Sequence, residues 1–160
     1  LHLLSRRQRQ MCIRDREKLL AFSNGVNYAI NGNALLDEEC QAWQHGYVYP
    51  DIYNKYKKYK YNPIDNGIRS THGCMLSKVL ESEVKAIDIV IKTFGLYSPK
   101  TLELISHLQT PWIEKRVGYG DDAPCSEAVD QKSIKKYFIE NRLNSEENIM
   151  SYIMNTLKCN

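Results

Sequence analysis

The stretch that decides the fold runs from Glu17 to Pro63, and its centre, residues 42–50, reads AWQHGYVYP. The preceding segment, Lys18–Ile30, reads KLLAFSNGVNYAI. Apolar side chains recur there at three- and four-residue spacing, which predicts a helix whose buried face consists of Leu19, Phe22, Val26, Ala29 and Ile30. The next residues, NGN at 31–33, end this predicted helix, because Gly and Asn tolerate left-handed backbone angles.

Downstream of this helix the pattern indicates shorter elements. Ala34–Leu36 and Gln41–Gln44 are predicted to pair as two small antiparallel strands, with acidic residues between them. Pro50 suits the first turn of a helix, where no N–H partner is needed, and it predicts a helix over Pro50–Lys60. One face of that helix is an aromatic and apolar stripe, made of Ile52, Tyr53, Tyr56 and Tyr59.

The second half of the chain is also predicted to be helical. Gly95 is a natural C-terminal stop for a helix over Val79–Phe94. Ser98 caps the next helix, which buries Leu102 and Ile105. The wide apolar face of the Val79–Phe94 helix comprises Val79, Leu80, Val84, Ile87, Val90, Ile91 and Phe94.

Three further helices complete the prediction. Pro111 starts a short helix that carries Trp112, Ile113 and Val117. Another spans Gln131–Asn141, and Ser145 opens the last one, whose apolar stripe is Ile149, Met150, Ile153 and Leu157. This last helix either packs on the domain or binds a partner. The fold class is therefore mainly α, a single compact domain of about six helices with a small antiparallel β element.

Two blocks of the sequence together resemble a known family. The first combines the helix at 18–30 with ECQAWQHGYVYP at 39–50 and IYNKYKKY at 52–59. The second is FGLYSPKTLELISH at 94–107, followed by TPW at 110–112. Their order and spacing resemble the Panacea antitoxin domain of SocA-like and GepA-like, phage-associated proteins. The family usually has Gly-Pro-Val-x-Pro where this chain has GYVYP at 46–50.

The resemblance implies a domain over residues 17–143, with residues 144–160 as a C-terminal helix. It implies an antitoxin, not an enzyme, that neutralises a cognate toxin by direct binding in the cytoplasm. Members similar to SocA also deliver the toxin to an ATP-dependent protease, which makes such a protease a second expected partner. The family-motif residues, which are structural or partner-binding, are Trp43, His45, Gly46, Pro50, Tyr53, Ser98, Leu102, His107, Pro111 and Trp112.

The residues themselves predict no catalytic group, cofactor or metal. His45 and His107 lack the ligand spacings of H-x-x-x-H, H-E-x-x-H or C-x-x-C patterns. Their alternatives are structural hydrogen bonding, partner contact, or a His-dependent hydrolase site. Trp43 and Trp112 either anchor an interface or pack in the core.

The net charge of +3 is concentrated at one end of the chain. Residues 1–16 contain five arginines and one aspartate, a charge of +4, so the other residues carry 3 − 4 = −1. Interleaved tyrosines and lysines at 53–61 either bind single-stranded nucleic acid or form a solvated helix face. Because residues 17–160 lack the usual basic footprint, nucleic acid is not an expected partner, and a DNA-binding regulator is the alternative function.

Residues 1–16 do not match the family, and MCIRDR at 11–16 resembles a translated sequencing adapter. The alternative is an arginine-rich arm that binds nucleic acid. If the segment replaces a native helix, Leu19, Leu20 and Phe22 are expected to be incompletely covered. Five dispersed cysteines indicate reduced thiols in a cytoplasm, and no apolar run of about 18 residues predicts a membrane span.

Overall fold

The computed structural model describes residues 13–59 and 79–158 of the chain. Within them, seven α-helices and one two-stranded antiparallel sheet form a single domain, which confirms the predicted fold class. Short 3-10 turns follow two of the helices, at Lys57–Tyr59 and Phe94–Leu96. In chain order the elements are α1 Ile13–Asn31, β1 Gln41–Trp43, β2 Gly46–Val48, α2 Pro50–Tyr56, α3 Glu81–Thr93, α4 Pro99–His107, α5 Thr110–Lys115, α6 Gln131–Glu140 and α7 Glu146–Lys158.

Helix α1 is the centre of the domain, because α3, α4, α6 and β2 all pack against it. Phe22 and Val26 are fully buried on α1, and the Phe22 ring stacks on Phe94 with centroids 4.4 Å apart. Leu19 is buried as well, so the expectation that this face is incompletely covered is wrong for Leu19 and Phe22. Gly25 lets α6 approach α1 closely, since a Cβ at that position would collide with the Phe138 ring.

The β element differs from the predicted pairing. Gln41–Trp43 pairs with Gly46–Val48, not with Ala34–Leu36, and Gln41 lies opposite Val48. The reason is Gly46, whose φ of +105° is a backbone angle that other residues rarely adopt. This angle permits a tight reversal of the chain between the two strands. The backbone of Leu35 instead donates a hydrogen bond to the Asn24 side chain of α1 at 2.8 Å. Ala34–Leu36 therefore lies along α1 as a loop.

Three predicted helix limits also change. Helix α2 ends at Tyr56 and not at Lys60, which lies outside the described residues. Leu80 precedes α3 and is 63% exposed, and Val84 is exposed too, because the buried stripe of α3 is Ala86, Ile89, Val90 and Thr93. Helix α5 ends at Lys115, which leaves Val117 beyond its last turn and 76% exposed.

The last helix packs on the domain, which is the first of its two predicted alternatives. Helix α7 lies against α3 and α4, and it buries Ile149 and Ile153 completely. The hydroxyls of Tyr137 on α6 and Tyr152 on α7 lie 2.9 Å apart. The apolar stripe that the sequence predicts is thus a core face.

Some expectations fall on parts of the chain without a described structure. They concern the packing of residues 1–12, the loop after residue 60 and the segment Ile68–Leu76. Among the described residues, no helix combines the length and apolar character needed to cross a membrane.

Candidate functional site

The described residues form a cavity of about 580 Å³ beside the β-hairpin. Its walls come from the first turns of α1, from the hairpin, from α2 and from the loop that precedes α6. The lining is mainly apolar, as is typical of binding pockets. The lining residues are Glu17, Lys18, Trp43, Gln44, His45, Val48, Tyr53, Pro124, Cys125 and Ser126. Three of the predicted family-motif residues, Trp43, His45 and Tyr53, are therefore brought together here.

Two aromatic residues stand at this cavity. The ring of Trp43 meets that of Tyr53 edge to face, with centroids 5.0 Å apart. The indole N–H of Trp43 donates to Gln41 Oε1 at 2.7 Å, which fixes the orientation of the ring. Both aromatic side chains are only half-buried, so they offer apolar surface without lying in the core.

The two blocks of the sequence meet at His45. Its Nδ1 donates to Oε1 of Glu103 on α4 at 3.0 Å, so the hairpin is tied to the helix that the second block forms. Burial acts to raise the pKa of Glu103, but the hydrogen bond and charge of His45, with the charge of Lys18, outweigh it and lower the pKa. The contact supports the structural alternative for His45, since a charge-assisted hydrogen bond orients the hairpin.

His107 makes a second link between the blocks. Its ring stacks on Trp112 with centroids 4.1 Å apart, and the Trp112 indole N–H donates to the Trp43 carbonyl at 3.1 Å. Burial lowers the pKa of His107, which favours a neutral imidazole. Trp112, which is half-buried, thus packs against His107 and is bonded to the hairpin. Within the described ranges, no group of three His, Cys, Asp or Glu side chains is placed to hold a metal ion.

Gly46 allows β2 to lie directly on α4. A Cβ at Gly46 would collide with Ser106 Oγ and would lie 3.0 Å from Lys18 Cε.

Ser98 caps α4 as predicted, because its Oγ accepts from the Thr101 N–H at 3.2 Å. Leu102 of the same helix is buried at 1% exposure. Pro50 and Pro111 occupy the first turns of α2 and α5.

Two buried charged residues of the cavity, Glu17 and Lys18, were missed by the sequence analysis. They are 1% and 2% exposed. Glu17 Oε2 accepts from the Tyr49 backbone N–H at 2.8 Å, whereas no described atom bonds to Oε1. Burial raises the pKa of Glu17 to about 7. A signal existed for Lys18, which precedes the buried Phe22 by four residues and so lies on the same helix face.

Arg116 was also missed, although it organises the loop at the edge of the cavity. Its guanidinium lies over the Trp112 ring and donates to the carbonyls of Gly120, Asp121 and Ala123 at 2.8–3.1 Å. A longer contact of 3.4 Å reaches the Ala42 carbonyl in β1. One buried cation therefore holds the loop against the hairpin, and nothing in the local sequence pattern distinguishes it from a surface arginine.

A comparison with protein-family models finds one match. The model described as the antitoxin SocA-like Panacea domain matches residues 17–113, which is more than half of the chain. No curated protein and no solved structure gives a significant match. The matched range covers α1 from Glu17 onward, the hairpin, α2, α3, α4 and the first residues of α5, and on this ground the chain belongs to the SocA-like family of antitoxins with a Panacea domain.

Proposed function

We propose that this protein is the antitoxin of a toxin–antitoxin pair and that it neutralises its cognate toxin by direct binding. Membership of the antitoxin family supports the general role. The observation that carries the binding mechanism is the cavity of about 580 Å³, whose walls include the motif residues Trp43, His45 and Tyr53. Neutralisation by burial of the toxin surface requires no catalytic residue.

The cavity has the features of an interface anchor point. Half-buried aromatic residues at a concave site are the kind of group that dominates binding energy at interfaces. The geometry around it is rigid, because His45 is bonded to Glu103 and Trp43 is bonded to both Gln41 and Trp112. A preorganised site loses little conformational freedom on binding, which favours affinity.

The first experiment identifies the partner. The gene adjacent to this one is expressed alone and together with this protein, and we expect growth to stop only when the gene is expressed alone. Normal growth in both cases would reject the pairing. His107→Gln, at a residue that does not line the cavity, is tested with and without a metal chelator and is expected to protect still, and loss of protection with no loss of folding would support a His-dependent enzyme instead.

The second experiment locates the binding surface. Tyr53→Ala is expected to weaken binding of the purified toxin about thirtyfold, because removal of an interface aromatic costs about 2 kcal/mol. Tyr97→Ala is the matched control, since Tyr97 is also half-buried but does not line the cavity. Equal affinities for the two variants, measured by calorimetry, would place the toxin elsewhere.

The third experiment separates neutralisation from delivery to a protease. Co-expression is repeated in cells that lack their ATP-dependent proteases. Direct neutralisation predicts full protection and an undiminished amount of toxin. If these cells die, and if expression of one of the missing proteases restores protection, the protein is a proteolytic adaptor.

A further inference from the structure

The cavity contains a carboxylate that the fold does not use fully. Glu17 is 1% exposed, yet only its Oε2 is bonded, to the Tyr49 N–H. Oε1 has no hydrogen-bond partner among the described residues. A buried acceptor without a partner is destabilising, because it has lost its hydrogen bonds to water. A ligand that supplies a donor at this point therefore gains a hydrogen bond on binding.

The neighbouring charges leave room for a cation. Lys18 lines the same cavity, but its stem lies against Gly46 and its charge also acts on Glu103 of α4. Arg16 lies over the Tyr56 ring, with its guanidinium carbon 4.6 Å from the centroid. The fixed charges around Glu17 and Glu103 thus comprise three carboxylates, with Glu38 included, and two cations, Lys18 and Arg16.

The aromatic residues specify the kind of cation. Trp43 and Tyr53 line the cavity together with Val48, so a ligand must have both apolar surface and a positive end. An arginine side chain meets both requirements, because its planar guanidinium stacks on aromatic faces and is weakly hydrated. A lysine ammonium is more strongly hydrated and is therefore a poorer occupant of an apolar cavity.

We propose that the cavity binds the side chain of an arginine from the partner protein, with its guanidinium bonded to Glu17 and stacked on the aromatic rings of Trp43 and Tyr53. This inference rests on the proposed function, since the expected partner is the cognate toxin. It names the group on the toxin that the cavity recognises. The specificity comes from the charge-assisted hydrogen bond to Glu17.

The test uses a small probe, so it does not require the toxin to be known. N-acetyl-arginine methylamide is titrated into the full chain, and the backbone amide signals of His45 and Val48, which line the cavity, are followed by NMR. The citrulline analogue has nearly the same shape but no charge. We expect the arginine probe to bind at least tenfold more tightly. Equal affinity of the two probes, or no binding of either, would overturn the inference.

Two variants connect the preference to Glu17. Glu17→Gln keeps an acceptor for Tyr49 but removes the charge, and we expect the arginine and citrulline probes then to bind alike. Glu38→Gln is the matched control, because Glu38 is near enough to affect Glu17 electrostatically but does not line the cavity. It should retain the tenfold preference. If Glu17→Gln retains it as well, the carboxylate is not the recognition group.

A third variant tests the inference with Glu17 left intact, so its result does not depend on whether Glu17→Gln folds normally. Trp43→Leu keeps the carboxylate and apolar bulk but removes the aromatic face, so it should weaken the arginine probe several-fold while preserving the preference over citrulline. An unchanged affinity would remove the stacking part of the inference. Protection against the neighbouring gene product in cells is a separate result. If the wild-type protein protects cells but does not bind the arginine probe, the arginine inference is wrong and the proposed antitoxin function still stands.

Discussion

Helix α4 contacts two different kinds of interior, because both α7 and β2 pack against it. Towards α7 the interior is apolar, with Leu143, Ile149 and Ile153 fully buried. Towards the hairpin it contains the charged side chains of Glu17 and Lys18 and, one helix further, that of Arg116. The same domain therefore combines a conventional hydrophobic core with a charged interior beside the cavity at the hairpin.

The apolar interior and the charged interior contribute differently to the stability of the domain. Burial of apolar side chains stabilises a fold with little dependence on exact geometry. Buried charges stabilise weakly at best, because desolvation offsets much of their attraction. A charged interior beside a cavity is consequently not explained by stability alone, and it is consistent with the binding role proposed above. The predictions below test whether the α7 side and the hairpin side respond to substitution in these different ways.

The largest effect is expected on the apolar side. Ile153→Ala should lower the free energy of unfolding by about 2–5 kcal/mol, because it removes buried methyl groups and leaves a cavity. Ile153 has no exposed surface, whereas its neighbour Met154 is 51% exposed. Met154→Ala is therefore the control and should change stability by less than about 0.5 kcal/mol. Urea denaturation measures both, and equal effects would mean that α7 does not contribute a core face.

The apolar side is also the part that the sequence predicts best. The stripe on α7 follows helical spacing, and Ile149 and Ile153 are buried as that spacing requires. The family-motif positions were predicted from the resemblance, but only the structure shows that Trp43, His45 and Tyr53 share a cavity. The hairpin escaped prediction because one glycine with φ of +105° sets its register, and side-chain periodicity does not report backbone angles.

Buried charges are hard to predict for a different reason. Composition and periodicity assign a charged residue to the surface, so Glu17 appears as an ordinary helix-start carboxylate. Arg116 is buried only because three loop carbonyls, contributed by residues 120–123, converge on its guanidinium. Such a site depends on tertiary contacts that the local sequence does not encode.

The second prediction concerns the pH dependence of the charged side. Glu17 has a pKa of about 7 in the folded protein against an ordinary value of 4.5, so the native state binds the extra proton. The Glu17 contribution to stability is therefore present at low pH and is lost as pH rises from about 4.5 to about 7. The total loss is roughly 3 kcal/mol. Glu17→Gln, which does not ionise, should lack this loss.

The measurement is the difference in unfolding free energy between wild type and Glu17→Gln, at about pH 5 and about pH 8. Glu103 and His107, whose pKa values are lowered, favour stability at higher pH, but they titrate in both proteins and cancel in the difference. We expect the unfolding free energy of Glu17→Gln, relative to that of the wild type, to be larger at the higher pH. A difference that stays constant with pH would mean that Glu17 is ionised throughout, and the charged side would then differ less from a solvated surface.

The third prediction tests the close contact between the hairpin and α4. Gly46→Ala should cost about 1–3 kcal/mol, since it combines a strained positive φ with a collision against Ser106. Gly32→Ala is the control, because Gly32 has a φ of +78° but no atom within 4 Å of an added Cβ. The excess cost at Gly46 isolates the collision, and Ser106→Gly in the same chain should recover part of it. Equal thermal shifts for the two alanine variants would contradict the close packing.

The smallest effect is expected at the start of α4, the helix that contacts both the apolar core and the hairpin. This helix carries Glu103 towards the hairpin and Leu102 into the core, and its first turn is held by Ser98. Ser98→Ala should destabilise the protein by about 1 kcal/mol, because the Thr101 N–H loses its acceptor. Ser151→Ala, at an exposed position within α7, should have almost no effect.

Ser98→Asp distinguishes a cap from a simple packing contact. A carboxylate accepts the same N–H bond and is favoured at the positive end of a helix, so it should restore the wild-type melting temperature. If aspartate is as harmful as alanine, the hydroxyl acts through its contact with Thr101 Oγ1 at 2.9 Å and not as a cap. The apolar core and the charged cavity would then depend on α4 through its packing alone.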